Sequence, residues 1–187
     1  MPTIRPYQPR DKNNVRHVCI ECGPAVGLTQ GPEYELELVC FCDYYIECEP
    51  RNCFVIANED DEAVGYILCA EDFPRYYERF TKEYLPRAKG FPFALRVKCW
   101  GSAWIPRFFV KKYPAHLHIN ILEGWQRRGL GSQLMDTLTA QLRAEGIPGV
   151  MLGVGSHNVK GRSFYNKYGF RRLLRLPGSV MMGLELK

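Results

Sequence analysis

Residues 115–131 read Ala-His-Leu-His-Ile-Asn-Ile-Leu-Glu-Gly-Trp-Gln-Arg-Arg-Gly-Leu-Gly, and the fold is decided there. Ala115–Leu122 reads as a strand with Ala115, Leu117, Ile119 and Ile121 on one face and His116, His118 and Asn120 on the other. Glu123–Gly131 then forms a turn with Arg127, Arg128 and glycines at 124, 129 and 131. Leu130, Leu134, Leu138 and Leu142 follow at a spacing of four and line one side of a helix, which Gly146 and Pro148 stop. A strand, a basic glycine turn and a helix make a holder for phosphate. Glycines let the backbone approach an anion, and the first helical N–H groups have no partner inside the helix. The helix dipole adds about 0.3–1 kcal/mol for a negative group placed there.

The turn carries the pattern Gln126-x-x-Gly129-x-Gly131. A Walker loop requires Gly-Lys-Ser/Thr after its second glycine, and Gly131-Ser132-Gln133 does not supply it. A dinucleotide fingerprint requires a third glycine three residues on, and Leu134 stands there. Downstream, Gly149–Gly155 reads as a buried strand, followed by Asn158 and a short helix Lys160–Tyr168 ending at Gly169-Phe170. The turn and the run Asn158…Phe164-Tyr165-Asn166-Lys167-Tyr168-Gly169-Phe170 together resemble the two motifs of the GNAT superfamily of N-acetyltransferases. The resemblance implies acetyl-CoA as co-substrate, with no metal. It implies cofactor contacts from the backbone of Ile121 and Leu122 and from the turn Gln126, Arg127, Arg128, Gly129, Leu130, Gly131 and Ser132. Asn158 would also touch the cofactor, and Tyr165 would face the thioester. The implied fold is α/β (α+β): a mixed, mostly antiparallel sheet, splayed at the cofactor site and flanked by helices.

Length and composition agree with one domain over 1–187, enough for a single substantial core. With 46% hydrophobic and 24% charged residues the chain is of globular composition. No run reaches the roughly 18 apolar residues of a membrane span, and the start Met1-Pro-Thr-Ile-Arg-Pro has no signal-peptide core. The net charge of +5 suits an anionic cofactor but is too small and dispersed for nucleic acid. The chain has eight cysteines. Cys19 and Cys22 have ligand spacing but no second pair to complete a zinc site, so reduced thiols in the cytoplasm are expected.

In chain order, Thr3–Gln8 reads as an edge strand, interrupted by Pro6. Asp11 is placed to cap a helix reaching about Glu21, with Val15, Val18 and Cys19 inward. Glu33–Glu47 reads as a second amphipathic helix ended by Pro50, with Leu36, Val39, Cys40 and Tyr44 inward. Cys53–Ala57 and Ala63–Ala70 form a hairpin around the polar turn 58–62. Phe73–Pro114 departs from the minimal plan as an insertion crowded with prolines and aromatic residues, among them Tyr76, Tyr77, Phe80, Tyr84, Phe93, Trp100, Trp104 and Phe108. Such density requires burial. It fits a lid or wall over an acceptor site, and equally extra core packing or a homodimer surface. With the insertion included, the chain is similar to the acetyltransferase-like domain at the C-terminus of O-GlcNAcase and its free-standing bacterial relatives. Phe73-Pro-x-Tyr-Tyr-Glu-Arg-Phe80, Tyr113–Leu122 and Leu176–Leu184 carry this likeness. That branch often has Asp where Asn120 stands.

The resemblance implies direct attack of an amine on the thioester. A lysine-type amine near pKa 10.4 costs about 4.6 kcal/mol to deprotonate at pH 7, an α-amine near 7.8 only about 1. The departing thiolate is helped by a proton donor, the role implied for Tyr165. For the base, the face shared by Ile121 offers only Ala115, Leu117 and Ile119. His118 and His116 are the titratable candidates on the other face unless a bulge shifts the register. Asn120 can orient a water but cannot accept the proton. The expected activity is N-acetylation of a small-molecule or protein amine. The alternatives are an acyl-CoA-binding module without catalysis and an interaction domain.

Overall fold

The structure is a computed structural model and describes residues 2–88, 90–91 and 104–186. Phe93, Cys99 and Trp100 of the insertion lie outside the described residues. Seven strands form one sheet in the order β1-β2-β3-β4-β5-β7-β6. They are β1 (Thr3–Pro6), β2 (Cys53–Ala57), β3 (Ala63–Ala70), β4 (Ala115–Ile121), β5 (Gly149–Gly155), β6 (Arg171–Leu176) and β7 (Ser179–Glu185). Every neighbouring pair is antiparallel except β4 and β5. As expected from its Pro6, β1 is an edge.

The helices cover both faces. On one lie α1 (Lys12–Cys22), α2 (Pro32–Leu38), α3 (Tyr44–Cys48) and α4 (Phe73–Arg79). A π-turn, Val39–Asp43, joins α2 to α3, so the expected helix over 33–47 is real but underwound at its middle. Asp11 precedes α1 without a side-chain cap bond. Its carboxylate is taken by the Arg5 guanidinium (2.7 and 2.9 Å) and the Gln8 N–H (2.8 Å) instead. On the other face lies α5 (Leu130–Ala144), whose Leu130, Leu134, Met135, Leu138 and Leu142 are buried. At an end of the sheet, α6 (Val159–Tyr168) runs into Phe170, which is also buried.

The sheet therefore separates two apolar layers. Phe73, Tyr76, Phe80 and Tyr84 of the insertion pack with Tyr44 and Tyr45 in the layer under α1–α4. Tyr44 and Tyr45 meet Tyr76 at ring-centroid distances of 4.7 and 5.6 Å. The first part of the insertion is thus core, whereas Trp104 and Phe108 remain exposed, in edge contact at 5.0 Å. No disulfide forms among the described cysteines, and Cys19, Cys42, Cys53 and Cys69 are buried as small apolar groups.

Candidate functional site

The decisive irregularity lies between β4 and β5. They pair only at Ala115 with Val150 and His116 with Met151. Beyond that point β5 stays with β7 as far as Gly155 and Ser179, while β4 stays with β3 as far as Ile121 and Gly65. The strands part toward their C-terminal ends, as the sequence led us to expect. Which backbone groups face the gap follows from the β3–β4 ladder. Leu122 donates its N–H to the Val64 carbonyl (3.0 Å). Alternation along an antiparallel pair then turns the N–H and C=O of Ile119 and Ile121 away from β3, toward the gap. Leu122 is committed twice over, since its carbonyl accepts from the Trp125 N–H (2.9 Å). Of the two residues expected to offer backbone groups, Ile121 faces the gap and Leu122 does not. Ile119, hidden by its plain apolar side chain, faces it too.

The turn after β4 is stiffened from inside. Gln126 donates its side-chain amide to the Ile121 carbonyl (2.8 Å), and Arg128 donates to the Gly124 carbonyl (2.8 Å) while lying over the Trp125 ring. Gly129 sits in the left-handed region at φ 78°, and so does the non-glycine Arg127 at φ 62°. A side chain held there indicates a backbone shaped for a purpose. Among the described residues, no acceptor takes the backbone N–H groups of Arg127, Arg128, Gly129, Leu130 and Gly131. Ser132 differs, because its N–H is bonded to the Gly129 carbonyl (3.1 Å). Five successive unpaired donors, exposed arginines and the positive end of α5 form a nest that fits a pyrophosphate. Gly131 stands where this nest meets the crevice: a Cβ there would lie 3.4 Å from the Phe164 ring and 3.7 Å from Ile121 Cδ1.

Tyr165 projects from α6 beside the same crevice, its ring edge-on to Phe164 (5.3 Å) and Phe170 (5.6 Å). Its hydroxyl has no hydrogen-bond partner among the described residues, and burial pushes its pKa up to about 12, so it is a proton donor at neutral pH. Asn158 caps α6, its Oδ1 accepting from the Gly161 N–H (2.7 Å). That bond occupies one end of the amide and orients the rest.

On the opposite face of β4 the register runs without a bulge, so His116, His118 and Asn120 do point away from Ile121. Both imidazoles are engaged through Nε2 with the buried hydroxyl of Tyr45, at 2.7 Å for His116 and 3.0 Å for His118. Burial drives His116 well below its ordinary pKa, and the neighbouring His118 lowers it further. Burial also lowers His118 to about 4. Both rings are neutral at pH 7, and His116 Nδ1 is buried without a partner. Asn120 donates to the Tyr66 hydroxyl (2.9 Å). These side chains hold the strand to its covering layer, and a proton finds only weak acceptors among them.

Glu37 on α2 was not singled out by the sequence reading. It is 8% exposed, and burial alone raises its carboxyl to about 7. One signal was available: 33, 37, 40 and 44 share a helical face, so Glu37 falls among the inward residues of 33–47. Among the described residues, no group of three or more His, Cys, Asp or Glu side chains could hold a metal ion.

The sequence profile of the Acetyltransferase (GNAT) family matches residues 20–170. The crystal structure of SsHAT superposes with a TM-score of 0.86 at 28% identity, over 100% of this chain and 98% of that one. PH1933 from Pyrococcus horikoshii OT3 superposes at 0.67 with 16% identity, over 99% and 98% of the two chains. The ribosomal-protein-S18-alanine N-acetyltransferase from Escherichia coli superposes at 0.58 with 14% identity, over 100% and 94%. The last two likenesses are of fold alone.

Proposed function

Because the chain belongs to the acetyltransferase (GNAT) family, we propose that it is an active acetyl-CoA-dependent N-acetyltransferase working between β4 and β5. The observation that carries this reading is the conjunction of parted strands with five unpaired N–H groups at the start of α5. Neither feature stabilises the protein by itself: unpaired strand edges and free helical donors both forgo hydrogen bonds. An extended ligand with a pyrophosphate would satisfy both. Acetyl-CoA, when bound, supplies an activated acetyl thioester.

In this reading the chain's residues divide the work. Arg127–Gly131 and the arginine side chains hold the pyrophosphate, with Gln126 fixing the turn to the end of β4. Ile119 and the N–H of Ile121 offer backbone bonds to the pantetheine arm, and Asn158 lines its path. Tyr165 donates the proton to the leaving sulfur. His116, His118 and Asn120 position β4. We further place the chain in the branch of the O-GlcNAcase C-terminal domain and its free-standing bacterial relatives, as a single domain over 1–187. That its described cysteines form no disulfide suits a reducing cytoplasm. Among the described residues no helix is long and apolar enough to cross a membrane.

The test is transfer from acetyl-CoA to a panel of amines, peptides and aminosugars, followed by release of free thiol. Acetylated product and stoichiometric thiol are expected with at least one class. Binding of acetyl-CoA with no product across the panel would favour a non-catalytic module.

A further inference from the structure

Glu37 is a residue only 8% exposed, with no hydrogen bond or ion pair to any described residue, and its carboxylate oxygens keep a narrow opening to solvent. Its contact with Gly23 ties it to the C-terminal end of α1, which touches the far half of β4 through Cys22. Its Oε1 lies against Gly23, where a Cβ would fall 2.1 Å away. The neighbouring Cys22 directs its Sγ at the Ile121 carbonyl (3.5 Å). Phe41 meets His118 edge-on with centroids 5.1 Å apart. Glu37, through Gly23 and Cys22, and the exposed Phe41, directly, thus both adjoin the stretch from His118 to Ile121. Gly23 has an ordinary extended backbone, φ −108° and ψ −178°. A side chain at Gly23 would displace the Glu37 carboxyl and would also meet the Cys19 carbonyl at 2.9 Å.

A buried carboxylate without a counter-charge is costly and clusters at functional sites. We propose that Glu37 receives the acceptor: its carboxylate binds the ammonium form of a primary amine at the end of β4 and removes a proton from it. This rests on acetyl transfer occurring between β4 and β5. The ammonium supplies the missing charge, and the exposed face of Phe41 adds cation–π attraction. The amine nitrogen, freed of one proton, forms the C–N bond to the thioester carbonyl carbon. The C–S bond breaks and its electron pair leaves on sulfur. Sulfur takes the Tyr165 proton, and the second nitrogen proton restores Tyr165. The proton held by Glu37 passes to solvent, so one proton is released per acetyl group transferred.

The titratable groups of α1 are Lys12, Arg16, His17, Cys19, Glu21 and Cys22, those of α2 besides Glu37 are Glu33, Tyr34 and Glu35, and Asp43 and His118 stand on the neighbouring π-turn and β4. Burial is nevertheless the one influence acting on its carboxyl. A carboxyl near 7 matches what a base needs at neutral pH.

The experiment compares the parent with Glu37→Gln and Glu37→Asp. Acetyl-CoA affinity is measured by calorimetry, and kcat/KM against pH is measured with phenethylamine, glucosamine and a blocked lysine peptide. Glu37→Gln is expected to keep the parental acetyl-CoA Kd, lose at least about 100-fold in kcat/KM and lose the rise near pH 7. Glu37→Asp should keep that rise at a lower rate. Carbon-13 titration of the Glu37 carboxyl in acetyl-CoA-loaded protein gives a reading without turnover, since a bound amine should lower its pKa. Parental turnover by Glu37→Gln, or a carboxyl pKa unmoved by all three amines, overturns the role of Glu37 and leaves acetyl transfer standing. A parent that does not bind acetyl-CoA overturns both.

Discussion

Glu37 sets a conflict between stability and function that can be measured directly. A carboxyl whose folded pKa lies above its unfolded value binds its proton more tightly in the native state. Stability is therefore full at low pH, falls as pH rises from about 4.5 to about 7 and is flat above. A displacement of that size corresponds to about 3 kcal/mol. Glu37→Gln should thus melt higher than the parent at pH 8, by roughly 6–12 °C, and almost equally at pH 4.5. Equal melting at both values would mean that Glu37 is not buried as described. Tyr165→Phe should lower turnover by roughly 100-fold or more with little change in acetyl-CoA affinity, as loss of a positioned donor does. Parental turnover in that variant would reduce Tyr165 to packing. Tyr45→Phe removes the one hydroxyl bonded to both imidazoles and should cost about 2–4 kcal/mol of stability in a denaturant titration. The histidines were legible in the sequence as titratable candidates. Their neutralisation was not, because the burial that causes it comes from a covering layer whose Tyr45 lies 71 residues from His116.

At the scale of elements, the turn and helix around Gly129 were the most readable part of the chain. Spaced leucines, a glycine pair and Gly146 each state a local rule, and the helix Leu130–Ala144 obeys all of them. The left-handed φ at Arg127 was not readable, since arginine carries no signal for it. The second helix, expected over 33–47, shows the opposite failure. Its apolar spacing is right, but the π-turn at Val39–Asp43 shifts which residues face inward, so Cys42 and Tyr45 are buried instead of Cys40. An extra residue in a helical turn leaves no mark in the spacing until the covering layer is known. Gly129→Ala would force a Cβ into the left-handed region, costing roughly 1–2 kcal/mol. We expect it to lower the melting temperature modestly, with a larger proportional loss of acetyl-CoA affinity because the donors of residues 127–131 lose their alignment. An affinity equal to the parent's would separate the shape of the turn from binding.

For the whole molecule, two features lay beyond local pattern. The parting of β4 from β5 depends on β5 following β7 and β4 following β3, a competition among distant strands. The insertion could be read as aromatic but not assigned, and only three-dimensional packing places Phe73–Tyr84 in the core beside Tyr44. A molecule built with an open seam should gain stability from what closes it. Acetyl-CoA at 100 times its Kd should stabilise the fold by about 2.7 kcal/mol, visible as a rise in melting temperature that free acetate does not reproduce. The most direct test of the central claim is calorimetric titration of acetyl-CoA into the parent and into a variant with bulky side chains at both Gly129 and Gly131. We predict one site per chain in the parent, and no measurable binding in a variant that still melts cooperatively. Unchanged affinity in the folded variant, or no heat of binding in the parent, would contradict it.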